Sequence, residues 1–193
     1  MEPITDVWEL FPHQRAARAF TDRPISDDQL TRILEAATRA PSSQNGMPWR
    51  FIVIRDQAQK DALSPVYERC FEKVYGDNAP DRADGRQPWS EVPVLVAVLV
   101  EARNGRTSMM TGASVYPAVQ NMMLAARALG IGSVLTTLWR LENAAIREIL
   151  GVPEGWEIAA FVPLGYPSAP MGKNRRPPVA DFVFHDHWPA DGE

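Results

Sequence analysis

The stretch that decides the fold is A-P-S-S-Q-N-G-M-P-W-R-F at residues 40–51. A predicted helix precedes it, because Ser26 and Gln29 form a capping box and apolar residues then recur at helical spacing until Pro41. Residues 49–54 follow with the alternation of a strand. The hydroxyls, amides and glycine in between offer donors and acceptors that suit a polar heterocycle, with ordinary turn chemistry as the alternative.

Further along the chain, periodicity predicts an alternation of helices and strands. Helices are predicted over residues 56–75, 111–129 and 141–150, and strands over residues 92–100, 133–138 and 158–164. The first of these strands is apolar almost throughout, as in a strand buried on both faces. The helix over 111–129 is apolar around most of its circumference, which predicts a central position. The pattern therefore indicates an α+β layer system.

The length of 193 residues predicts one domain over residues 1–193, in which about 70% of the surface of the chain can be buried. Residues 76–90 are polar and predict a flap or a plain loop. Residues 166–193 contain several prolines and no strong period. We expect an extended C-terminal arm that packs on another surface, such as a second subunit.

Composition excludes several classes of protein. With 20 basic against 24 acidic side chains, the chain is not expected to bind nucleic acid or an anionic membrane. It shows no signal peptide and no apolar run near the roughly 20 residues that span a bilayer, so we expect a soluble cytoplasmic protein. The single Cys70 excludes an internal disulfide. No metal site is predicted, since His185 and His187 would lie on opposite faces of an extended segment.

Two basic stretches lie near opposite ends of the chain. Arg15 and Arg18, interpreted as part of a helical or turn segment, could present two guanidinium groups to one phosphate. The alternative is a solvated basic face. Lys173, Arg175 and Arg176 precede a stiff proline pair and are typical, taken alone, of a soluble tail. Taken together, the two stretches could form a phosphate clamp.

The sequence contains no familiar catalytic motif. The G-I-G at residues 130–132 follows a predicted helix and opens a strand, which is the reverse of the dinucleotide-binding fingerprint. Cys70 occupies a core position of its helix and is interpreted as packing. No nucleophile or acid–base pair stands out, which is the pattern expected when a cofactor carries the chemistry.

Taken in order, four stretches resemble the nitroreductase family of flavin-dependent oxidoreductases. They are R-A-A-R-A-F at 15–20, A-P-S-S-Q-N-G-M-P-W-R-F at 40–51, P-A-V-Q-N-M-M-L-A-A-R-A-L-G-I-G-S-V at 117–134 and R-R-P-P-V at 175–179. The resemblance spans nearly the whole chain except residues 60–90 and the last few residues. It implies an α+β fold with a central mixed or antiparallel sheet flanked by helices, built as an intertwined homodimer with FMN sites at the interface.

The resemblance also implies three groups of FMN contacts. The phosphate group comprises Arg15, Ala16, Arg18, Lys173, Arg175 and Arg176. The turn group, which would reach the ring system or ribityl chain from the partner subunit, comprises Pro41, Ser42, Ser43 and Asn45. The ring group, with a backbone N–H directed at flavin N5, comprises Thr136, Thr137 and Leu138. Ala16 stands where the family usually has serine and Gln14 where arginine is common, so one hydroxyl contact is missing.

The implied activity is hydride transfer from NADH or NADPH through flavin N5 to a small acceptor such as a nitroaromatic or quinone, in a ping-pong cycle. No side chain is assigned as catalytic, because the flavin carries the chemistry. The substrate pocket would be lined by Phe71, Tyr75, Trp89 and Trp139. Two alternatives remain: a divergent branch that dehalogenates, dehydrogenates or fragments the flavin, and a non-catalytic flavin-binding protein.

Overall fold

The computed structural model describes residues 1–76, 87–102 and 107–188. The helices are α1 (Val7–His13), α2 (Asp27–Thr38), α3 (Gln57–Tyr75), α4 (Met109–Ala128) and α5 (Asn143–Leu150), and the strands are β1 (Trp49–Ile54), β2 (Val94–Glu101), β3 (Gly132–Ser133) and β4 (Trp156–Gly165). Within these ranges the strands form one sheet in the order β1-β2-β4-β3, with each neighbouring pair antiparallel. The predicted α+β fold with a helix-flanked sheet is confirmed.

Strand β2 separates two cores, because successive side chains in a strand point to opposite faces. On one face lie Val94, Val96, Val98 and Val100, and on the other lie Leu95, Ala97 and Leu99. The first set packs with side chains of α2 and α4, and the second packs with side chains of α3 and α5. Every residue of β2 except Glu101 is buried, so the predicted strand with two buried faces is confirmed.

The ends of the predicted helices are set by local chemistry. The capping box of Ser26 and Gln29 is present at the start of α2. Gly151, at a φ of 62°, ends α5 in the left-handed conformation that glycine adopts at low cost. Helix α5 begins two residues later than predicted, at Asn143, because residues 138–142 form a 3-10 helix before it. No described helix is long and apolar enough to cross a bilayer.

Two local predictions are wrong. Residues 15–20 are extended rather than helical or turn-like, since Ala16 bridges Ser133 in parallel and Phe20 bridges Pro167. This segment pairs with the free edge of β3 and with the start of the arm. Because both partners are distant in sequence, local patterns do not reveal the pairing. The predicted strand over 133–138 is also too long. Only the two residues of β3 pair as a strand, followed by a single bridge at Thr136.

The polar stretch over 76–90 lies partly outside the described residues, which resume at Gln87. The described end of this stretch is not a surface loop. Trp89 opens a 3-10 helix, is only 2% exposed, and stacks on Tyr67 with 4.0 Å between ring centroids. Burial of this large aromatic side chain anchors the end of the stretch to α3, which the local polarity does not reveal.

The C-terminal segment leaves the core after Tyr166, which is buried beneath the guanidinium of Arg23. It returns to the N-terminal region at residue 174. From residue 175 onward the described arm is exposed. Its exposed large apolar side chains are Val179, Phe182, Val183, Phe184 and Trp188. In a single chain, the arm therefore exposes these apolar side chains to solvent.

Candidate functional site

A long cleft runs beside the extended segment at residues 15–20, and it has two adjoining parts. The inner cavity, of about 560 Å³, lies against α3 and residues 134–138. The basic cavity, of about 1050 Å³, lies between the N-terminal segment and the C-terminal arm. Both are lined by Arg18, Val134 and Leu135. The two cavities therefore adjoin at these residues, and together they form a cleft with Arg18 at the junction.

The basic cavity brings together both cationic stretches of the sequence. Its lining cations are Arg15, Arg18, Lys173, Arg175 and Arg176, and Ala16 also lines it. Within the part of the chain that the structure describes, no carboxylate lines this cavity. Lys173 has an acidic neighbour, since its Nζ lies 2.8 Å from an oxygen of Glu9. A cavity with this charge suits a dianion such as a phosphate monoester.

Asn174 holds the two stretches together, and sequence reasoning missed it. Its backbone N–H donates to the carbonyl oxygen of Pro12 at 2.7 Å. Its side-chain amide donates to the carbonyl of Phe11 at 3.2 Å and more weakly to that of Gln14 at 3.4 Å. These bonds fix the arm against the end of α1, so the cations on either side of Asn174 face the same cavity as Arg15. An asparagine between two cations is the only sequence signal for this contact.

The inner cavity has an aromatic wall supplied by one face of α3. Tyr67, Phe71 and Tyr75 are spaced four residues apart and therefore lie on the same side of the helix. Trp89 completes this wall. Of the predicted pocket residues, Phe71, Tyr75 and Trp89 thus line the inner cavity. Tyr67 was missed, although it belongs to the same helical stripe. Trp139 instead lines a separate cavity of about 230 Å³.

A second part of the lining contains Thr136, Thr137 and Leu138, the predicted ring group. Thr136 is held twice: its N–H donates to the carbonyl of Phe161 at 2.9 Å, and its hydroxyl lies 2.9 Å from the Tyr67 hydroxyl. The N–H of Leu138 makes only a long contact of 3.5 Å with the Thr136 hydroxyl. Because the Thr136 N–H is used by the sheet, Thr137 and Leu138 are the members of the group whose N–H could face a ligand.

The predicted turn group does not meet the cleft of its own chain. Pro41, Ser42, Ser43 and Asn45 line neither the inner nor the basic cavity. The conformation of this turn is nevertheless well defined. The Ser43 N–H donates to the Ser114 hydroxyl at 3.2 Å, and Asn45 has a φ of 52°, a conformation that is costly without structural support. Its contribution to a cofactor site of a partner subunit stays a prediction.

An ion pair ties the wall of residues 138–142 to α3. Glu142 accepts a hydrogen bond from Lys73 at 2.5 Å, and Arg69 lies 3.9 Å away. The hydrogen bond from Lys73 lowers the pKa of Glu142 below its usual range. Glu142 therefore stays ionised to lower pH in the folded chain than in the unfolded chain.

We expect Glu142→Gln to decrease the melting temperature slightly at neutral pH and to have no effect in acid. Because the folded pKa is lowered, the carboxylate stabilises the fold above its unfolded pKa, and this contribution is lost as the pH falls through the folded pKa. Thermal melts of both proteins across this pH range measure the difference. Glu148→Gln on the exposed side of α5 is the matched control. A difference that persists unchanged in acid would contradict the prediction.

The chain is similar to known proteins over most of its length. Residues 13–166 match the family model described as Nitroreductase family. This chain belongs to the nitroreductase family. The match covers the extended segment, the polar turn, the sheet and the wall at 134–138, whereas the cationic arm lies beyond it.

The proteins to which the chain is similar carry different names. A protein of Archaeoglobus fulgidus, provisionally named NADH dehydrogenase/NAD(P)H nitroreductase, is 34% identical over 80% of this chain and 81% of its own. The iodotyrosine deiodinase of Thermotoga neapolitana is 27% identical over 88% and 93%. A crystal structure of oxidized iodotyrosine deiodinase bound to FMN and 3-iodo-L-tyrosine superposes with a TM-score of 0.78, at 25% identity, over 94% of this chain and 99% of that one.

Proposed function

We propose that this protein is an FMN-dependent oxidoreductase that takes a hydride from NADH or NADPH and passes it to a small acceptor such as a nitroaromatic or quinone. The observation that carries this proposal is the cleft with a cationic end and an aromatic end. FMN also has two different ends, because its phosphate monoester is joined through a ribityl chain to a flat ring. The phosphate would suit the cationic end of the cleft, and the ring would suit the aromatic end. A family member with bound FMN supports the same cofactor.

The residues present fit this cofactor. The phosphate carries nearly two negative charges at neutral pH, and arginine binds such groups through two parallel hydrogen bonds. Arg15 and Arg18 from one end of the chain and Arg176 from the other line the same cavity. The missing serine at Ala16 removes one hydroxyl, while the cations of the arm add several donors. The aromatic wall and the apolar Leu135 and Leu138 suit a planar ring.

In this proposal the side chains bind and orient FMN and shield it from water. Bound FMN supplies the hydride chemistry. Arg18 lies at the junction and would set the distance between phosphate and ring. The Tyr67 hydroxyl fixes Thr136, and through it the backbone at Thr137 and Leu138 that would face the ring. The aromatic wall would exclude water from the reacting face. No acid–base side chain is required of the chain.

We also propose that two copies form a homodimer in which the exposed arm covers the partner. Phe182 is 64% exposed and Trp188 is 75% exposed. Trp8 and Phe11 add a second exposed aromatic pair on α1, with ring centroids 6.3 Å apart. Exposed apolar surface of this extent is typical of an interaction site. In such a dimer the polar turn at Ser42–Asn45 of one copy would complete the FMN site of the other.

The proposal is tested by titrating the purified protein with FMN and then adding each nicotinamide without oxygen. We expect tight FMN binding, loss of the visible flavin absorbance with NADH or NADPH, and its return when a quinone or nitroaromatic is added. Protein that does not bind FMN would contradict the assignment. FMN that binds but is reduced by neither nicotinamide would favour the non-catalytic flavin-binding alternative.

A reduced flavin that neither a quinone nor a nitroaromatic reoxidises would favour a divergent branch of the family. The similarity to iodotyrosine deiodinases makes reductive dehalogenation the first of these to test. The corresponding experiment adds a halogenated tyrosine to the reduced protein and measures halide release. Halide release without reduction of a nitroaromatic or quinone would show that the acceptor is a halogenated compound instead.

A further inference from the structure

Gln87 clamps the extended segment at the junction of the cleft. Its backbone N–H donates to the carbonyl of Arg18 at 2.9 Å. Its side-chain amide donates to the carbonyl of Phe20 at 2.7 Å and accepts the N–H of Phe20 at 2.8 Å. The amide therefore behaves as an additional peptide group and satisfies both backbone groups of Phe20.

The clamped residues are the ones that join the two ends of the cleft. Arg18 lines both cavities, and Phe20 lines the inner cavity together with Gln87 itself. Phe20 is fixed from its other side by the backbone of β4, where a Cβ on Gly165 would lie only 2.6 Å from the Phe20 ring. The segment is thus held between the sheet on one side and Gln87 on the other.

We propose that Gln87 is a positioning residue for FMN, which acts by holding Arg18 at a fixed distance from the inner cavity. This inference rests on the proposed function. The hydrogen bonds of Gln87 go to backbone atoms, so its effect on the cofactor passes through the segment and requires no contact with FMN. Without the amide, the N–H and the carbonyl of buried Phe20 both lose this partner. Of the three bonds of the clamp, only the one from the Gln87 N–H to the Arg18 carbonyl remains.

The decisive variant is Gln87→Met, which keeps the length of the side chain and removes both amide hydrogen bonds. We expect FMN binding, measured by flavin fluorescence in the full-length protein, to weaken about tenfold, because binding would then have to order the backbone that carries Arg18. The matched control is Gln59→Met, which removes a side-chain bond of 2.9 Å to the Ile149 carbonyl away from the cleft. Gln59→Met removes one side-chain hydrogen bond and Gln87→Met removes two, so a decrease in melting temperature is expected for both variants.

If Gln87 had only a structural role, both variants would have lower melting temperatures, and neither would bind FMN more weakly than the unmodified protein. Loss of FMN affinity in Gln87→Met no greater than in Gln59→Met would therefore overturn the inference. Failure of the unmodified protein to bind FMN would instead overturn the proposed function and this inference with it. The two failures are thus distinguishable.

Gln87→Glu gives a second test within one folded protein. A protonated carboxyl offers one donor and one acceptor like the amide, whereas a carboxylate offers acceptors alone. Among the described residues that line the same cavity, Arg18 is charged and none is a carboxylate. We expect FMN affinity relative to the unmodified protein to recover as the pH is lowered until the introduced carboxyl is protonated. A ratio independent of pH would contradict the clamp.

Discussion

Replacing Arg18 and Arg176 together by alanine is expected to weaken FMN binding by about 10²- to 10⁴-fold. Each hydrogen-bonded cation on a phosphate contributes about 1.5–3 kcal/mol. The two arginines line the same cavity although they lie near opposite ends of the chain. Both residues are exposed, so the apoprotein should lose little stability. Fluorescence titration with FMN and thermal melts of the apoprotein measure the two effects separately.

The matched control for charge is Arg32→Ala with Arg39→Ala. These residues are exposed on or at the end of α2 and line neither cavity of the cleft. This control variant should change FMN affinity only because it removes the same number of positive charges. Added salt should weaken that effect, since salt screens interactions between exposed charges. If the variant at Arg18 and Arg176 lost as much apoprotein stability as FMN affinity, these arginines would be structural and the phosphate assignment would be wrong.

The second large effect is expected at the C-terminal arm. Phe182→Glu combined with Trp188→Glu should convert a dimer into a monomer, with the dissociation constant rising at least about a hundredfold. Large aromatic side chains bury about 150–250 Å² each in an interface, at about 25 cal/mol per Å², and an introduced carboxylate adds a desolvation cost. Sedimentation velocity measures the oligomeric state, and far-ultraviolet circular dichroism checks that the monomer stays folded.

Leu141→Glu is the control for the arm variant, because it places one such carboxylate on an exposed leucine outside the arm. A monomeric unmodified protein would contradict the proposed dimer. The monomeric variant should also bind FMN more weakly, since the turn at Ser42–Asn45 would no longer reach a partner's cleft. Unchanged FMN affinity in a monomer would show that the turn group takes no part in the site.

The elements that the sequence predicted correctly are those set by neighbouring residues. The capping box at Ser26, the alternation of residues 49–54 and the apolar run of β2 each act within a few positions of the chain. The aromatic stripe of Phe71 and Tyr75 was accessible for the same reason, because helical spacing alone places both on one face. The cationic stretches were also visible, and the resemblance to the family indicated that they act together.

The errors share a different cause. Residues 15–20 carry no strong strand pattern, and they become extended because distant residues at Ser133 and Pro167 supply backbone partners. The polarity around Trp89 suggested a surface loop, but its ring is buried against Tyr67. Tertiary contacts overrode local preference in both places, as happens when a short segment gains hydrogen bonds or buried apolar area from elsewhere.

By itself, the sequence determined the class of the fold, its principal helices and strands, the family and the kinds of side chain at the site. These properties depend on spacing and residue type, which are local. Only the tertiary structure decided that Arg15, Arg18 and Arg176 line one cavity. It also showed that Asn174 joins the arm to α1 and that Gln87 holds the segment at the junction. Hydrogen bonds between residues far apart in the chain leave no periodic signature, because their partners are chosen by the folded backbone rather than by sequence spacing.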